Sequence, residues 1–543
     1  MSRRALDLLA RFNRMEARRA EWDQWFQVLG DVFLPNQADF TNKHTRGKRR
    51  DTRNFENSHR VAARNFAKTI DTFIGPQSRD QLLVVPDDEE LAERDDVRIW
   101  LDTVRSRMWR AMNRTSARRK QAKAETDNSL VIFGTGVLFI GENRERNGLL
   151  FKSHHLRDVV IGENSAGAID RLGFRRKLTA MLAAEEYGEA NIGEKTREEL
   201  TKNTELEFEF IQLILPREDR DARNLLSRNM AWASVVIDVA SEHVVSESGF
   251  HEFPFAVPRW ETSPSEVYGR SPAMLAYSDA KTLQAIAKTL LLGAQRAVDP
   301  PTWVFNDAAF SAVRMYPGGV TVFDAQSAAA AGGRLPAGVF DMGKNIPVGR
   351  EMQADYRQLV QSAFFKDLFA SGADGTEKTA TEILERKEEM IRVLGPTFGS
   401  LEQDYPARID ERVFHLMERS GSFPERPDAI RGARVNFSYH SPFQMAQRSS
   451  EAAGLSRSME LLAPLAGVDP TIMDNFNTDL IARDTPKWFG FGERYIRPEG
   501  DVSEIRQRRA QQQQEQAAVE QAHTGSQAVR NLAAAEKDLE ATQ

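Results

Sequence analysis

Two long helical patterns, Ser271 to Val298 and Gly349 to Ala370, are separated by an insert rich in glycine, proline and alanine. The first opens on an N-cap serine followed by proline and stops at Asp299-Pro300-Pro301, which predicts about 27 residues, or ~40 Å of helix. The second keeps helical spacing until Ser371-Gly372. We call these two helical segments the rods. Two long helices joined by a compact insert are more typical of a wall or radial element of a multi-subunit assembly than of an active-site cleft.

Composition restricts the class of protein. The 543 residues are 41% hydrophobic and 28% charged, as expected for a folded chain of about three to four structural units. There is no cysteine, which excludes disulfides, thiolate metal sites and cysteine nucleophiles. The net charge of -6 argues against a nonspecific nucleic-acid coat. We expect no signal peptide and no membrane partner, since the most apolar run, Thr289 to Gly293, is too short to cross a bilayer.

Two stretches are strongly basic. Lys43 to Arg53 holds six basic residues against one acid, and Thr103 to Lys123 holds eight Lys or Arg and no acid. Each is typical of a solvated face or a subunit contact. Each also fits a patch for nucleic acid or an acidic partner, and both interpretations stay open.

The region before the first rod is predicted to begin with helices and to continue as α+β. Amphipathic spacing predicts helices over 1–30, 58–74, 89–112 and 116–130. The run Val131 to Glu142 is apolar, β-branched and punctuated by glycine, which predicts strand–turn–strand. Further strands are expected at 159–161, 208–215 and 232–239, with a charged helical insert over 177–202. This indicates mixed strands with helices on one side.

The remaining segments are predicted to be mainly helical. The insert between the rods, Asp299 to Asn345, indicates a small strand-containing module with strands at 302–305 and 319–323. A capping box at Thr379 to Glu382 opens another long helix, broken or kinked at Gly395-Pro396 and bent again at Pro406. Short helices follow over 422–500, and the glutamine- and alanine-rich tail over 501–543 predicts an exposed helix.

No motif assembles catalytic chemistry. Gly269 to Ala273 half-resembles a nucleophile elbow, but Pro272 makes Ser271 a helix cap. Gly134-Thr135-Gly136 is interpreted as a turn, without the third glycine of a dinucleotide site. His154-His155 would point to opposite faces of a strand, and Asp87 to Glu90 suits a helix start. We therefore predict no catalytic residues, no metal and no cofactor.

Several stretches resemble the head-to-tail connector, or portal, proteins of short-tailed bacteriophages. The similarity is carried by Glu261 to Pro301, by Thr379 to Arg386 (TATEILER) and by Leu394 to Pro424 (LGPTFGSLEQDYPARIDERVFHLMERSGSFP). The Trp-rich N-terminal helix leading to Leu34-Pro35 agrees with it, and the order of elements extends the resemblance over most of the chain. None of these motifs is catalytic.

The resemblance implies a portal fold, α+β and mainly α, with a paired-helix stem and a long kinked helix. Mapped onto this chain it assigns 1–260 to the wing, 261–298 to stem helix 1, 299–345 to a small α/β clip, 346–370 to stem helix 2, 371–378 to the tunnel loop, 379–440 to the long kinked helix and the rest of the wing, 441–500 to a helical crown and 501–543 to a C-terminal helical barrel.

Portal membership further implies a dodecameric homo-oligomeric ring at a capsid vertex, with a channel for double-stranded DNA packaging and genome ejection. The implied partners are the terminase large subunit, major capsid and scaffolding proteins, a tail adaptor of the short tail and internal core proteins. The implied location is the virion, after assembly in the host cytoplasm. Expected channel residues are Ser371, Gly372, Asp374, Gly375 and Lys378 of the tunnel loop, and Arg296 and Arg357 of the stem.

Two other functions fit the sequence less well. A metal-dependent DNA-processing enzyme would use the acidic residues as ligands, and a divalent-metal cleavage assay separates it from a portal. A membrane-associated helical scaffold would need an apolar surface stripe, which the sequence does not show. The packaging energy must come from a separate ATPase, because the chain has no G-x-x-x-x-G-K-[ST] loop.

Overall fold

The structure is a computed structural model in which helices predominate over strands. It describes residues 3–42, 47, 54–75, 82–86, 91, 94–143, 145, 147–221, 226–306, 314–324, 337–339, 346–369, 380–432, 435–439, 454–462, 464, 475–488, 496–497 and 500–516. The predicted α+β class with a majority of helix is therefore confirmed.

The helices with named bounds are α1 (Arg3–Phe33), α2 (Ser58–Ile74), α3 (Asp95–Met112), α4 (Arg119–Phe133), α5 (Ala180–Tyr187), α6 (Glu194–Lys202), α7 (Pro272–Val298), α8 (Ile346–Ala363), α9 (Lys366–Phe369), α10 (Ala380–Asp404), α11 (Pro406–Arg419) and α12 (Thr478–Trp488). The strands are β1 (Leu82–Pro86), β2 (Leu138–Glu142), β3 (Leu149–Ser153), β4 (Val159–Glu163), β5 (Ile169–Thr179), β6 (Glu207–Pro216), β7 (Trp232–Asp238), β8 (His243–Phe250), β9 (Phe255–Ala256), β10 (Thr302–Asn306), β11 (Val320–Asp324), β12 (Ala337–Val339) and β13 (Val435–Tyr439).

The predicted strand–turn–strand at Val131 to Glu142 is half wrong. Its first half is the last turn of α4, and only β2 is a strand. Four consecutive apolar residues, Leu130 to Phe133, are all buried, and a helical turn buried on every side has no periodicity to distinguish it from a strand. The helix ends at Gly134, whose φ of 76° is in the left-handed region.

The Gly-Thr-Gly motif serves a close crossing of two backbones. A Cβ on Gly134 would collide with the carbonyl of Gly269, and a Cβ on Gly269 would collide with that of Gly134. The crossing is closed by hydrogen bonds from Trp260 N to Gly134 O at 2.9 Å and from Gly269 N to Thr135 Oγ1 at 2.9 Å. Two glycines far apart in sequence are needed because neither backbone leaves room for a side chain.

The α+β region contains a five-stranded antiparallel sheet in the order β4-β5-β6-β7-β8. The sequence analysis found β4, β6 and β7 but missed β5 and β8. The predicted helical insert over 177–202 starts late, since residues 177–179 still belong to β5 and two separate helices, α5 and α6, follow.

Helices cover both faces of this sheet, so the prediction of helices on one side is wrong. Alternate residues of β6 and β7 point to opposite faces. One face packs Ile211, Leu213, Val235 and Ile237 against Phe12 and its neighbours on α1. The other packs Phe210 and Val236 against Ala183 and Ile192 of the α5–α6 segment.

The main core joins α1, α2, α4, α7 and α10 with the sheet edge. It is rich in aromatic rings that meet edge-to-face, such as Phe26 with Phe133 (5.6 Å between centroids) and Phe33 with Phe364 (5.7 Å). Helix α3 begins at Asp95, later than the predicted 89–112, and α4 spans Arg119–Phe133 instead of 116–130.

The long helix α10 runs through Gly395-Pro396, where a break or kink was expected. The interruption lies further on, at Tyr405, and Pro406 is the first residue of α11. Proline is favoured at the first position of a helix because the N–H that proline lacks would have no partner within the helix there. The expected bend at Pro406 is therefore a helix boundary. Strand β13, which pairs antiparallel with β1, was not predicted.

The chain divides into two compact units, residues 1–87, 100–426 and 431–447 forming the first and residues 88–99, 427–430 and 448–543 the second. The second unit contains α12 and helical segments at 454–462 and 500–516, as expected from the sequence. Arg506 donates two hydrogen bonds to Asp479, at 2.5 and 2.7 Å. Within the described residues no helix is long and apolar enough to cross a bilayer.

Candidate functional site on the paired helices

The first rod is the 27-residue helix α7, and its start matches the prediction. The Ser271 hydroxyl accepts a hydrogen bond from Met274 N at 3.1 Å and donates one to Ile132 O at 2.8 Å. Pro272 occupies the first turn. The hydroxyl is buried and used twice, so it caps the helix and ties it to the end of α4.

Only the first two thirds of α7 are buried. Its inward face carries mostly alanines at helical spacing, which lets the helix approach the core closely: Ala273, Ala276, Ala280 and Ala287, with Leu283 between them. Beyond Ala287 several apolar side chains are open to solvent, with exposed fractions of 49% for Leu291, 42% for Leu292 and 86% for Val298.

The second rod is helix α8, which packs along α7. The packing is close at Gly349, where a Cβ would lie 2.5 Å from Cδ2 of Leu290. Toward the other end Val360 and Phe364 are buried in the main core. The predicted continuous rod to Ala370 is interrupted: α8 ends at Ala363, Phe365 has a φ of 55°, and the short helix α9 follows.

Helix α8 also exposes large apolar side chains. Val348 is 57% exposed, Met352 47% and Leu359 51%. At the far end of α7, Leu291, Ala294 and Val298 line a shallow apolar depression together with Pro317 of the insert. Exposed apolar side chains grouped on a protein surface are typical of a site that interacts with another molecule.

The chain between α1 and α2 is fastened to the rods through Gln284 and Glu56. The Gln284 side chain accepts from Phe55 N at 2.7 Å and from Glu56 N at 3.2 Å, and donates to Glu56 O. The Glu56 carboxylate in turn accepts from the Ser58 hydroxyl at 2.6 Å and lies 3.8 Å from Nδ1 of the buried His59.

Arg357, one of the predicted channel residues, faces this cluster. Its Nε lies 3.4 Å from Oε1 of Glu56, while 42% of its side chain remains exposed. Burial raises the pKa of Glu56, but the nearby His59, the hydrogen bonds from Ser58 and the charge of Arg357 outweigh it and lower that pKa to about 2. Arg357 therefore fastens α8 to the segment before α2.

Arg296, the other predicted stem residue, lies in the last turn of α7, where a cation is favoured by the helix dipole. It is half-buried, and its Nε has no hydrogen-bond partner among the described residues. The structure does not bring Arg296 and Arg357 together: Arg357 lies beside Glu56, which Gln284 binds, whereas Arg296 is twelve residues further along α7. The five tunnel-loop residues lie outside the described residues: Ser371, Gly372, Asp374, Gly375 and Lys378.

The insert between the rods contains a three-stranded sheet in the order β11-β10-β12. Strand β10 pairs parallel with β11 and antiparallel with β12. Strands were expected at 302–305 and 319–323, and the structure confirms both within one residue. The buried Thr321 accepts a hydrogen bond from Arg314 N at 2.9 Å, which holds the segment before β11 against that strand.

The adjacent histidines do not lie on the strand that the sequence interpretation assumed. β3 ends at Ser153, and His155 accepts a hydrogen bond from Arg157 N as the cap of a short 3-10 turn. Burial, with a smaller effect of nearby cations, lowers the pKa of His154 and His155 to about 4 each.

The described residues contain no group of three or more His, Asp or Glu that could hold a metal ion. The acidic run at 87–90 lies outside the part of the chain that the structure describes.

Comparison with known protein families shows to which family this chain belongs. The family model described as bacteriophage head to tail connecting protein matches residues 5–497. The chain belongs to this family. A head-to-tail connecting protein is a component of the phage particle, which places this connector in the virion, where head and tail meet.

Individual relatives agree with the family. The connector is 26% identical over 535 residues to the portal protein of Salmonella phage epsilon15, covering 97% of this chain and 94% of that protein. It is 27% identical over 516 residues to the probable portal protein of Bordetella phage BPP-1, covering 93% and 91%. Among solved structures it matches a chain in the virion of a native gene transfer agent particle, with a TM-score of 0.34 and 11% identity, covering 79% of this chain and 95% of that chain. It also matches a chain in the neck of the native particle computed with C12 symmetry, with a TM-score of 0.33 and 11% identity, covering 74% of this chain and 86% of that chain.

Sequence reasoning about the connector missed the Glu56–Gln284–Arg357 contacts. Glu56 and Gln284 are 228 positions apart, and although Gln284 lies within the stretch Glu261 to Pro301, nothing in that stretch points to Glu56. Only their shared position at the helix pair relates them, so no local pattern could have indicated the contact.

Proposed function

We propose that copies of this chain form the portal ring of a phage head. The observation that carries the proposal is the family match across residues 5–497, which spans both rods, the insert between them and the long helix α10. The ring would lie at one capsid vertex, admit double-stranded DNA during packaging, release it at ejection and carry the short tail.

Exposed apolar side chains on α7 and α8 support ring formation. Leu291, Val298, Val348 and Met352 are between 47% and 86% exposed in the isolated chain. Side-by-side packing of helix pairs from neighbouring subunits would bury these groups at roughly 25 cal/mol per Å² of apolar surface. A closed ring is the symmetric way to satisfy one such surface in every copy. We propose twelve copies, the number that the portal family implies.

The paired helices would line the DNA channel, with residues 371–378 as the tunnel loop. A conduit must bind its cargo weakly, because each neutralised phosphate adds salt-dependent affinity that would stall movement. The net charge of -6 and the pairing of Arg357 with Glu56 fit this requirement. Arg296 and Lys378 are the proposed transient contacts. If alanine at either position left both packaging and DNA retention unchanged, that residue would be removed from the proposal.

The other elements receive proposed roles from the same assignment. Residues 1–260 and part of 379–440 would form the wing, 299–345 the clip, 441–500 the crown and 501–543 a helical barrel. The clip would meet the terminase large subunit during packaging and the tail adaptor afterwards. The wing would face the major capsid and scaffolding proteins, and internal core proteins are further candidate partners.

Light scattering after size-exclusion chromatography, with negative-stain images, tests the ring. Twelve chains of 61.3 kDa give a particle of about 740 kDa with a central hole. A chain that stays monomeric at micromolar concentration, alone and with its scaffolding protein, would contradict the proposal.

We also propose that the protein is not an enzyme. DNA cleavage by the pure protein that requires a divalent metal would contradict that statement and favour a DNA-processing enzyme.

A further inference from the structure

Helix α3 carries a row of exposed arginines that the channel assignment does not use. Arg107, Arg110 and Arg114 follow one another at helical spacing, and all three side chains are exposed. Arg114 lies two residues past the end of α3, in a turn where its N–H donates to Ala111 O, and its own backbone is extended. Among the described residues, none of the three arginines forms an ion pair. We call these three residues the α3 arginine row.

The row borders a cleft of about 450 Å³ between α3, the β2–β3 hairpin and the end of α11. Arg107 donates a hydrogen bond to the carbonyl of Ser422 across this cleft, which orients the first guanidinium. The cleft is lined by one carboxylate, Glu142. Three cations against one anion leave the site with an excess of positive charge.

The spacing of the row matches the charge spacing of a nucleic-acid backbone. Seven residues separate Arg107 from Arg114, which is about 10 Å along a helix at 1.5 Å per residue. One strand of duplex DNA carries a phosphate about every 3.4 Å of its axis, so the row faces roughly three phosphates. Guanidinium groups bind phosphate oxygens through two parallel N–H donors.

The surroundings favour a duplex over an acidic protein. A protein interface needs apolar or aromatic anchors at its centre, whereas a phosphate backbone needs none. Between Leu101 and Lys123, all of which is described, no large hydrophobic side chain is exposed. Residues 103–123 also contain no acid. The row itself thus offers charge without an apolar anchor, and the nearest exposed large apolar side chain on α3 is Ile99, eight residues before Arg107.

A second row on α1 shows the contrast. Arg11, Arg14 and Arg18 have the same spacing and are also exposed. Their cleft, however, is lined by four carboxylates: Glu163, Asp170, Glu218 and Glu266. Arg11 is moreover paired with Asp7 at 3.4 Å. With Arg171, the α1 cleft is lined by four arginines and four carboxylates, whereas the α3 cleft is lined by three arginines and one carboxylate.

We propose that the α3 arginine row is a binding surface for the phosphate backbone of double-stranded DNA, independent of base sequence and separate from the channel. The contact requires only the folded chain, so it is present whether or not the ring closes. It would hold duplex against the protein by charge alone, with an affinity that falls steeply with salt.

Binding of a covalently closed circular duplex tests the proposal, because a circle cannot thread through a closed ring. Full-length protein is titrated onto a labelled circle in a filter-binding assay between 50 and 200 mM salt. In the triple variant Arg107→Gln, Arg110→Gln, Arg114→Gln, the slope of log K against log salt should become shallower by about 2.7, at about 0.9 for each lost phosphate contact. Affinity at the lowest salt should fall at least tenfold.

The matched control is a second triple variant with Arg11→Gln, Arg14→Gln and Arg18→Gln. It removes the same charge at the same spacing, and its affinity for the circular duplex should stay within about twofold of that of the wild type. Equal losses in both triple variants, or none in the α3 variant, would overturn the proposal. If polyglutamate displaces the circle as well as duplex DNA does at equal charge, the surface is one for an acidic protein. Should the triple α3 variant fail to fold, Arg110→Gln alone decides, through a slope change of about 0.9.

Discussion

The Nε of Arg357 on α8 lies 3.4 Å from the carboxylate of Glu56, which precedes α2 by two residues. This ion pair joins a rod of the proposed stem to a segment 301 positions earlier in the chain. Because Gln284 of α7 binds the backbone on both sides of the same glutamate, both rods are fastened at one place. The arrangement gives the helix pair a defined position on the core.

Replacing Glu56 by glutamine should weaken this fastening. The folded pKa of about 2 lies below the ordinary 4.5, so the carboxylate stabilises the fold above about pH 4.5 and loses that effect as pH falls toward 2. We expect Glu56→Gln to cost about 1–2 kcal/mol at pH 7, after allowance for solvent screening of the exposed Arg357, and about half of that or less at pH 3. Thermal melting at the two pH values measures this.

The control for that experiment is Glu205→Gln, an exposed glutamate in the loop before β6. It should melt like the wild type at both pH values. An equal loss of stability for Glu56→Gln at pH 7 and pH 3 would show that the ionised carboxylate is not the source of the effect.

Removing Lys123 should destabilise the protein severely. Its ammonium group contacts Asp71 and lies 3.5 Å from Asp127, and Lys123 and Asp127 are both buried. Loss of one partner of a buried ion pair typically costs about 3–5 kcal/mol. Burial already raises the pKa of Asp127 to about 6 against the attraction of Lys123. Lys123→Met should therefore gain melting temperature when pH is lowered from 7.5 to 5.5, as Asp127 takes up a proton.

Lys120→Met on the same helix removes an exposed lysine and serves as the comparison. Its melting temperature should change little. The interpretation fails if the two lysine variants have the same stability, or if acidification lowers the melting temperature of Lys123→Met as much as that of the wild type.

Ser271→Ala should destabilise the start of α7. The substitution removes the acceptor for Met274 N and the donor to Ile132 O, and loss of an N-cap typically costs about 1–2 kcal/mol. Hydrogen exchange of the first turn of α7 should speed up by roughly tenfold or more, since 1.4 kcal/mol corresponds to a factor of ten. The exposed Ser278 on the same helix provides the neutral variant, Ser278→Ala. Unchanged exchange in Ser271→Ala would refute the cap.

Charge placed on the exposed end of α7 should prevent assembly without unfolding the chain. Leu291 and Val298 are exposed in the isolated subunit but would be buried between subunits of a ring. We expect Leu291→Asp, Val298→Asp to shift the mass measured by light scattering from ring to subunit, while circular dichroism stays unchanged. Met181→Asp on α5, a site with 59% exposure, should still assemble. A double variant that assembles normally would exclude this surface from the interface.

Much of the local structure could be predicted because its signals are local. Ser271-Pro272 at one end of α7 and Asp299-Pro300 at the other determine a helix through backbone chemistry within a few residues. The bounds of α2 follow in the same way from its amphipathic spacing and Gly75. The last turn of α4 was misread because burial on all sides removes the periodicity on which such predictions depend.

The amino-acid sequence by itself determined the helix pair, two of the three strands of the insert between its helices and, through its motifs, membership of the connector family. Only the tertiary structure decided that Arg357 pairs with Glu56, that Gly134 and Gly269 cross, and that the arginines of α3 face a cleft with a single carboxylate. The physical reason is that each of these contacts joins segments distant in sequence, and its energy depends on burial and distance that exist only once the chain has folded.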